Sequence, residues 1–345
     1  MSQRSANTST SGHLDWVDGT RTVAALAVVL LHAAASAVTD RSLLGSSGWW
    51  AANVFDAATR WCVPVFVMLS GALLLVPSKA GESWRDFYRR RFVRVLIPLV
   101  FWSLFYLAYD LCWVLDRGGE ADWLFMLHQT LIGMPYFHLW FLFMLPGLYL
   151  VTPLLRQILT VLCRKQLAVL CAGLLALAIA NKFFTLWRGD GPPFAGVLFV
   201  PFIGYYLAGY LLATGSRDSR WPWPTLIASI IITALGCGWL AGQGKLNAGT
   251  YFYDYFSITT VPAGLAAFAL CLRLPKLRLF GWIAPVSFGV YLIHPMWLDL
   301  LWQNDLRPTT LHPALAIPLL AMFAFVVSGL LAWLILRVPG VRRVV

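Results

Sequence analysis

The chain has 345 residues, of which 59% are hydrophobic and only 12% are charged, and its formal net charge is +11. Roughly 25% of the residues in an average soluble domain are charged, and a run of about 20 apolar residues crosses the hydrocarbon core of a bilayer as a helix. Several such runs occur here, with polar stretches between them too short to fold alone. The composition therefore excludes a soluble globular domain and predicts a single membrane domain.

Ten apolar segments are long enough to cross a membrane, and they predict an all-α, polytopic membrane helix bundle with about ten transmembrane helices. The ends of these segments carry an error of a few residues. The segments are 17–38, 52–76, 92–115, 138–155, 166–184, 194–213, 223–240, 251–272, 281–301 and 313–336. Residues 1–14 are predicted to be a disordered cytoplasmic N-terminus, 15–338 the membrane domain, and 339–345 a cytoplasmic tail.

The basic residues set the predicted orientation. With the N-terminus in the cytoplasm, most of the 26 lysines and arginines fall on the inner side, as the positive-inside rule requires, and both termini are cytoplasmic. Topology thus explains the positive charge, so the lipid bilayer is the expected partner and nucleic acid is not. The six cysteines lie in or beside apolar spans without metal-ligand spacing, so neither disulfides nor a metal site is predicted.

The first predicted span carries the most specific pattern in the chain. Arg21 and His32 are eleven residues apart, which places both on one helix face within ~20° and separates them by ~16 Å along the axis. Asp18 lies three residues before Arg21, so it can pair with it or fix its rotamer. We predict that all three are catalytic, with His32 as a general base facing a cavity or the bundle interior.

A structural interpretation of these residues also stays open. Arg21 sits where an arginine can anchor the helix by extending its charged end to the inner interface. His32 can make a hydrogen bond between helices. The helix around His32 is otherwise aliphatic, which favours the functional interpretation for this residue.

The second inner loop concentrates arginines just before the third span, among them Arg90, Arg91 and Arg94. Guanidinium groups match the geometry of phosphate groups, so these three are predicted to bind a phosphate-bearing cytoplasmic ligand. Topology and attraction to anionic lipid explain a basic loop as well, and the loop alone does not decide between the two.

Two further groups are predicted to bind substrate. His138 and Trp140 open the fourth span in an aromatic segment; aromatic faces beside polar groups suit sugar rings, although an interfacial belt is the alternative. Ser287, Tyr291 and His294 follow i, i+4, i+7 spacing and share one helix side. A hydrogen-bond network that packs helices is the alternative for these three.

In this order, the segments resemble the membrane acyltransferase family 3, the integral membrane O-acyltransferases of cell-surface glycans. The resemblance extends over nearly the whole length. It rests on Asp18, the Arg21 to His32 spacing, residues 65–71, Arg91 with Arg94 and Pro98, residues 138–142 and residues 287–294. Residues 137–155, followed by Arg156, are most similar to the branch that contains the enterobacterial common antigen O-acetyltransferase. Gly19 and Thr20 depart from the family, which usually has an apolar residue before the arginine.

The resemblance implies an acyltransferase of the cell inner (plasma) membrane. Such an enzyme moves an acetyl or other short acyl group from cytoplasmic acyl-CoA, typically acetyl-CoA, to a hydroxyl of a cell-surface glycan or lipid-linked sugar. His32 would be the base or a transient acyl carrier, and Arg21 would position the donor or stabilise oxyanion charge. The arginines of the inner loop would hold the CoA phosphates.

Two other classes of function remain open at this point. Ionisable residues inside the membrane would also serve a transporter or flippase for a glycan or lipid-linked intermediate. A non-catalytic scaffold in an envelope assembly complex is the third possibility. Consumption of acyl-CoA separates the enzyme from the transporter, and loss of function without Arg21 and His32 separates it from the scaffold.

Overall fold

The computed structural model describes residues 11–76, 82–189, 194–217 and 219–345, with the backbone alone for residues 11–15. Within these ranges the chain forms α-helices and short 3₁₀ turns without strands, which confirms the predicted all-α bundle. The α-helices are α1 Ser11–Thr39, α2 Ser47–Thr59, α3 Cys62–Leu74, α4 Trp84–Asp116, α5 Trp123–Leu131, α6 Trp140–Val161, α7 Arg164–Arg188, α8 Ile203–Ala213, α9 Pro222–Gly242, α10 Leu246–Gly249, α11 Thr260–Cys271, α12 Arg278–Ile283, α13 Ser287–Gln303 and α14 Pro313–Arg337.

Nine of the predicted spans coincide with helical segments of the described chain that are long and apolar enough to cross a membrane. The chain is therefore a multi-pass membrane protein. The predicted span 251–272 differs, because only Thr260–Cys271, with 12 residues, is a continuous α-helix there. Its first part is a 3₁₀ turn, Thr250–Tyr253, followed by non-helical residues.

Hydroxyl side chains explain this break. The Thr260 hydroxyl donates to the carbonyl of Phe252 at 3.2 Å, and Ser257 Oγ accepts the backbone N–H of Thr260 at 3.0 Å. Short polar side chains that bond the nearby backbone compete with helical hydrogen bonding. The segment before α11 therefore stays compact and irregular although its composition is apolar enough to suggest a helix.

Helix α1 lies at the centre of the bundle, where it packs against α2, α3, α13 and α14. Its sequence supplies small side chains on the packed faces: Ala24, Ala25, Ala33 and Ala34 are at most 1% exposed. Small residues let helix backbones approach closely in a membrane. The larger side chains of α1, His32 among them, are thereby held against the neighbouring helices.

The closest helix crossing described joins α3 and α8. A Cβ atom on Gly71 would lie 1.8 Å from the backbone oxygen of Tyr206, and one on Gly209 would lie 1.9 Å from the backbone oxygen of Met68. Only glycine fits at either position, because no backbone can accept a contact this short. The crossing fixes α3, which forms one wall of the cavity described below.

The described residues include the predicted C-terminal tail and only the end of the predicted N-terminal segment. Residues 1–10 of the predicted N-terminal segment lie outside the described residues, and α1 already begins at Ser11. At the other end, Val341–Val344 forms a 3₁₀ turn. Val344 is buried and its carbonyl accepts the indole N–H of Trp102 at 2.8 Å. The predicted tail, residues 339–345, is therefore packed onto the bundle.

Candidate active site

A cavity of about 360 Å³ opens between α1, α3, α4, α6 and α13. We call it the central cavity. Its lining includes most of the residues predicted from the sequence: Arg21, His32, Arg94, His138, Trp140, Ser287 and Tyr291. The remaining predicted residues, Asp18, Arg90, Arg91 and His294, are not part of its lining.

His32 contacts His294 directly, and we call the two the histidine pair. The Nδ1 atom of His32 lies 2.7 Å from the Nε2 atom of His294. The two rings are parallel within 5°, with their centroids 5.0 Å apart. Because the centroids are much farther apart than the nitrogens, the rings meet edge to edge, as a hydrogen bond requires. His294 is fully buried behind His32.

A backbone carbonyl fixes the protonation pattern of the histidine pair. The second nitrogen of His294, Nδ1, lies 2.9 Å from the carbonyl oxygen of Val290. A carbonyl can only accept, so Nδ1 of neutral His294 carries the proton and Nε2 must accept. His32 then donates through Nδ1, which leaves its Nε2 with a free lone pair. Nε2 of His32 makes no hydrogen bond with the described residues.

His138 adds a third imidazole. It is 1% exposed, and neither of its ring nitrogens makes a hydrogen bond of normal geometry with the described residues, although the ring lies close enough to the Leu292 backbone to interact with it. The His138 and His294 rings lie 5.8 Å apart, and the Tyr291 hydroxyl donates to the backbone carbonyl of His138. A buried imidazole without a well-formed hydrogen bond is costly unless a ligand satisfies it. His138 is therefore placed to bind a polar group in the central cavity.

The predicted cytoplasmic end of the central cavity is basic. Arg21 and Arg94 line it together with Tyr149, and Tyr149 interacts electrostatically with Arg21, Arg91 and Arg94. The Nε atom of Arg91 is buried without a partner among the described residues. The positive charge of three arginines is thus felt at one tyrosine of the cavity wall, and positive charge of this kind suits a ligand with several phosphates.

Arg90 belongs to a different cluster. It pairs with Glu82, which also accepts from buried Arg156 at 3.0 Å, and Arg156 Nε donates to the carbonyl of Leu74 at 2.8 Å. Burial favours a raised pKa for Glu82, but its bonds to the two arginines outweigh this and hold the pKa below its usual value. This cluster ties the loop before α4 to α6. Arg90 lies away from the central cavity although its sequence context matches that of Arg94.

The other predicted residues have defined surroundings. The ion pairs of the described residues do not include one between Asp18 and Arg21, and the catalytic assignment of Asp18 stays a prediction. Ser287 is buried and donates to the carbonyl of Ala284 at 2.7 Å. Trp140 packs on Tyr255, with the ring centroids 5.4 Å apart. Trp140 therefore forms an aromatic wall of the cavity.

Several lining residues were not predicted. Tyr149 and Tyr255 carried no spacing signal: Tyr149 lies farther along α6 than Trp140, and Tyr255 reaches the site from the irregular segment before α11. Phe137, next to His138, packs edge-on against His32 at 5.1 Å between centroids. Among the described residues no group of three or more His, Cys, Asp or Glu side chains has the arrangement of a metal site. The prediction that no metal is required is not tested by this.

Comparison with known protein families gives one match, to the acyltransferase domain of the acyltransferase 3 family, over residues 14–337. No curated protein and no solved structure matches the chain. The matched region includes α1 to α14 almost completely and all residues of the central cavity. This protein is a multi-pass membrane acyltransferase, and the chain belongs to the acyltransferase 3 family.

Proposed function

We propose that the protein is an O-acyltransferase of the cell inner membrane that moves an acetyl or other short acyl group from cytoplasmic acyl-CoA to a hydroxyl of a glycan or lipid-linked sugar. One observation carries the proposal. A single cavity has arginines at its predicted inner end and the accessible side of a histidine pair farther in. A cavity with positive charge at one end and a base at the other suits a ligand that has phosphates at one end and a reactive carbonyl at the other.

The donor fits this cavity by shape and charge. Arg21 and His32 are separated by ~16 Å along α1, so a ligand that contacts both must be long and thin between its charged and reacting ends. The pantetheine arm of CoA has this form. The phosphates would lie against Arg94 and Arg21, which line the cavity, and Arg91, outside the lining, would add positive charge through its influence on Tyr149. With this axial separation we assign Arg21 to positioning the donor rather than to stabilising an oxyanion formed at His32.

His32 is the proposed base. Its Nε2 atom takes the proton of the acceptor hydroxyl while the oxygen attacks the thioester carbon. The resulting tetrahedral intermediate collapses, the carbon–sulfur bond breaks, and the CoA thiolate takes the proton from the His32 imidazolium. The products are an ester and free CoA thiol. A two-step route, in which Nε2 first carries the acyl group, uses the same atom.

His294 and His138 have different proposed roles. His294 accepts from Nδ1 of His32, so it holds the ring in the tautomer that exposes Nε2 and stabilises the imidazolium that forms. His138 lines the cavity, and its ring nitrogens make no hydrogen bond of normal geometry with the described residues. A neutral His138 would donate one N–H to the oxygen of the tetrahedral intermediate.

Reconstitution tests the proposal. The purified protein in liposomes, given acyl-CoA labelled in the acyl group, is expected to release CoA thiol and to transfer label to an envelope glycan or lipid-linked sugar fraction. His32→Ala should abolish both, while His312→Ala should not, because His312 lies at the exposed start of α14. Movement of a sugar lipid across the bilayer without thioester consumption would instead establish a transporter.

A further inference from the structure

A second, smaller pocket adjoins the central cavity on its predicted outer side. It has a volume of about 210 Å³, and Tyr255 lines both spaces. Ala35, which lies one helical turn beyond His32, forms part of its wall. We call it the outer pocket. The outer pocket therefore lies about one helical turn beyond His32, on the side of α1 away from Arg21.

A buried ion pair shapes one wall of the outer pocket. Asp56, whose side chain is fully buried, accepts from both Nε and Nη2 of Arg60. The guanidinium of Arg60 lies 4.7 Å from the ring centroid of Tyr253, and the Tyr253 hydroxyl donates to Asn53 at 2.6 Å. The arginine is therefore fixed from two directions. Its Nη1 group makes no hydrogen bond with the described residues and can donate to a ligand.

The charges around the outer pocket are balanced. Asp56 offsets Arg60, and Asp254, another wall residue, pairs with Lys182 at 2.8 Å. The wall thus offers hydrogen-bond donors and acceptors without net charge. An anion such as a phosphate gains little in such a site, whereas an uncharged ligand rich in hydroxyl groups can use both kinds of partner.

Aromatic side chains supply the apolar part of the pocket. Tyr253 and Tyr255 line it, and half-buried Tyr255 packs against Trp140 of the central cavity at 5.4 Å between centroids. Rings of this kind cover the apolar face of a sugar, as they do in many polar ligand sites. The volume is below the about 300–1,000 Å³ of pockets for drug-sized ligands, so the outer pocket suits a single ring.

We infer that the outer pocket is the acceptor subsite and that it binds one uncharged sugar ring, with Arg60 as hydrogen-bond donor and Tyr255 as stacking surface. A ring held there presents a hydroxyl toward Nε2 of His32. The inference rests on the proposed function, because that function makes this hydroxyl the one that is acylated. Binding of a sugar in the pocket can nevertheless be measured without turnover.

Binding of defined sugars to the full chain in lipid nanodiscs tests the inference. Saturation-transfer NMR would use methyl glucoside and methyl N-acetylglucosaminide as neutral probes, and glucuronate and glucose 6-phosphate as anionic probes. The neutral probes are expected to bind more tightly. Tyr255→Leu should weaken them about three- to tenfold, the effect of losing one aromatic contact. Arg60→Lys should act similarly, because it retains a charge for Asp56 and loses the donor fork.

Arg307→Lys is the matched control, since Arg307 lines a separate outer groove with Asp40 and Trp302. It should leave binding unchanged. Equal binding by wild type and Tyr255→Leu, tighter binding of the anionic probes, or no binding of the neutral probes would each overturn the inference. CoA release from acyl-CoA, measured on the same samples, tests the proposed function separately. Sugar binding without CoA release would refute that function and leave the pocket established.

Discussion

The Nδ1 atom of His32 lies 2.7 Å from the Nε2 atom of His294, and these residues are 262 positions apart in the chain. The contact joins the first helix of the bundle to α13. Because His294 donates its single N–H, on Nδ1, to the Val290 carbonyl, its Nε2 accepts from His32, and the only lone pair of the pair left free is on Nε2 of His32. The histidine pair therefore presents one base, Nε2 of His32, to the central cavity.

The histidine pair predicts a positioning role for His294. Removing its side chain in His294→Ala frees His32 to adopt the other tautomer or another rotamer, so kcat should fall by up to about 100-fold. The KM for acyl-CoA should stay the same, because His294 does not line the cavity. His294→Gln, which retains an acceptor, should recover part of the rate. A rise in KM with unchanged kcat would contradict this role.

Arg94 and Arg90 are expected to differ in their contribution to binding of acyl-CoA. Arg94→Gln should raise the KM for acyl-CoA about 10- to 100-fold, the equivalent of one hydrogen bond to a charged group. Arg90→Gln should leave this KM unchanged, because Arg90 pairs with Glu82 outside the cavity lining. Steady-state kinetics in detergent or nanodiscs measures both variants. Equal changes in the KM for acyl-CoA in the two variants would contradict the assignment of Arg94, and not Arg90, to the donor site.

The crossing of α3 and α8 predicts an effect on stability. Gly71→Ala should prevent close packing, because the new methyl group meets the backbone of Tyr206, and overpacking costs about 1–3 kcal/mol or more. Gly173→Ala is the control: that position has no neighbour within 4 Å. Size-exclusion profiles and thermal unfolding in detergent should show loss of folded protein only for Gly71→Ala. A Gly71→Ala protein as stable as the wild type would contradict the close packing of α3 against α8.

The ion pairs of Glu82 are expected to make the stability of the fold depend on pH. Its folded-state pKa is held below the usual value of 4.5 by Arg90 and Arg156, against the effect of burial. The ionised carboxylate therefore stabilises the fold above pH 4.5, and this contribution is lost as the pH falls through the folded-state pKa. Glu82→Gln should lower Tm at pH 7 by about 2–4 °C, the shift for roughly 1 kcal/mol.

Thermal unfolding of wild type and Glu82→Gln at several pH values checks this contribution. The difference in Tm should shrink once the pH is well below 4.5, because the wild-type carboxyl is then protonated as well. Asp122→Asn is a control, since Asp122 caps α5 far from this cluster. A difference that grows as the pH falls would contradict the ion-pair explanation.

The membrane architecture was predictable because bilayer thickness fixes the length of an apolar helix. Hydropathy located nine spans of the described chain correctly. It failed at residues 251–259, where the hydroxyls of Ser257 and Thr260 capture backbone groups. Hydropathy scores treat such residues as weakly polar and carry no information on which backbone group they bond.

The candidate site was predictable where one helix carries it. Helical arithmetic placed Arg21 and His32 on one face, and both line the central cavity. The concentration of arginines in the second inner loop grouped Arg90 with Arg94, but Arg90 pairs with Glu82 and does not line the central cavity. The partner of His294 was not predictable, because no local pattern joins residues 262 positions apart. A contact between residues so far apart in sequence can be located only once the packing of the helices that carry them is known.

Acyl transfer through Nε2 of His32 is tested most directly by mass spectrometry of surface glycans from cells that produce the wild-type protein, His32→Ala or His312→Ala, with membrane insertion verified for each. Wild type and His312→Ala should show a glycan carrying one added acyl group. His32→Ala should reduce this species by about 10²- to 10⁴-fold, the effect of removing a general base. Equal acylation in the His32→Ala cells would contradict the mechanism.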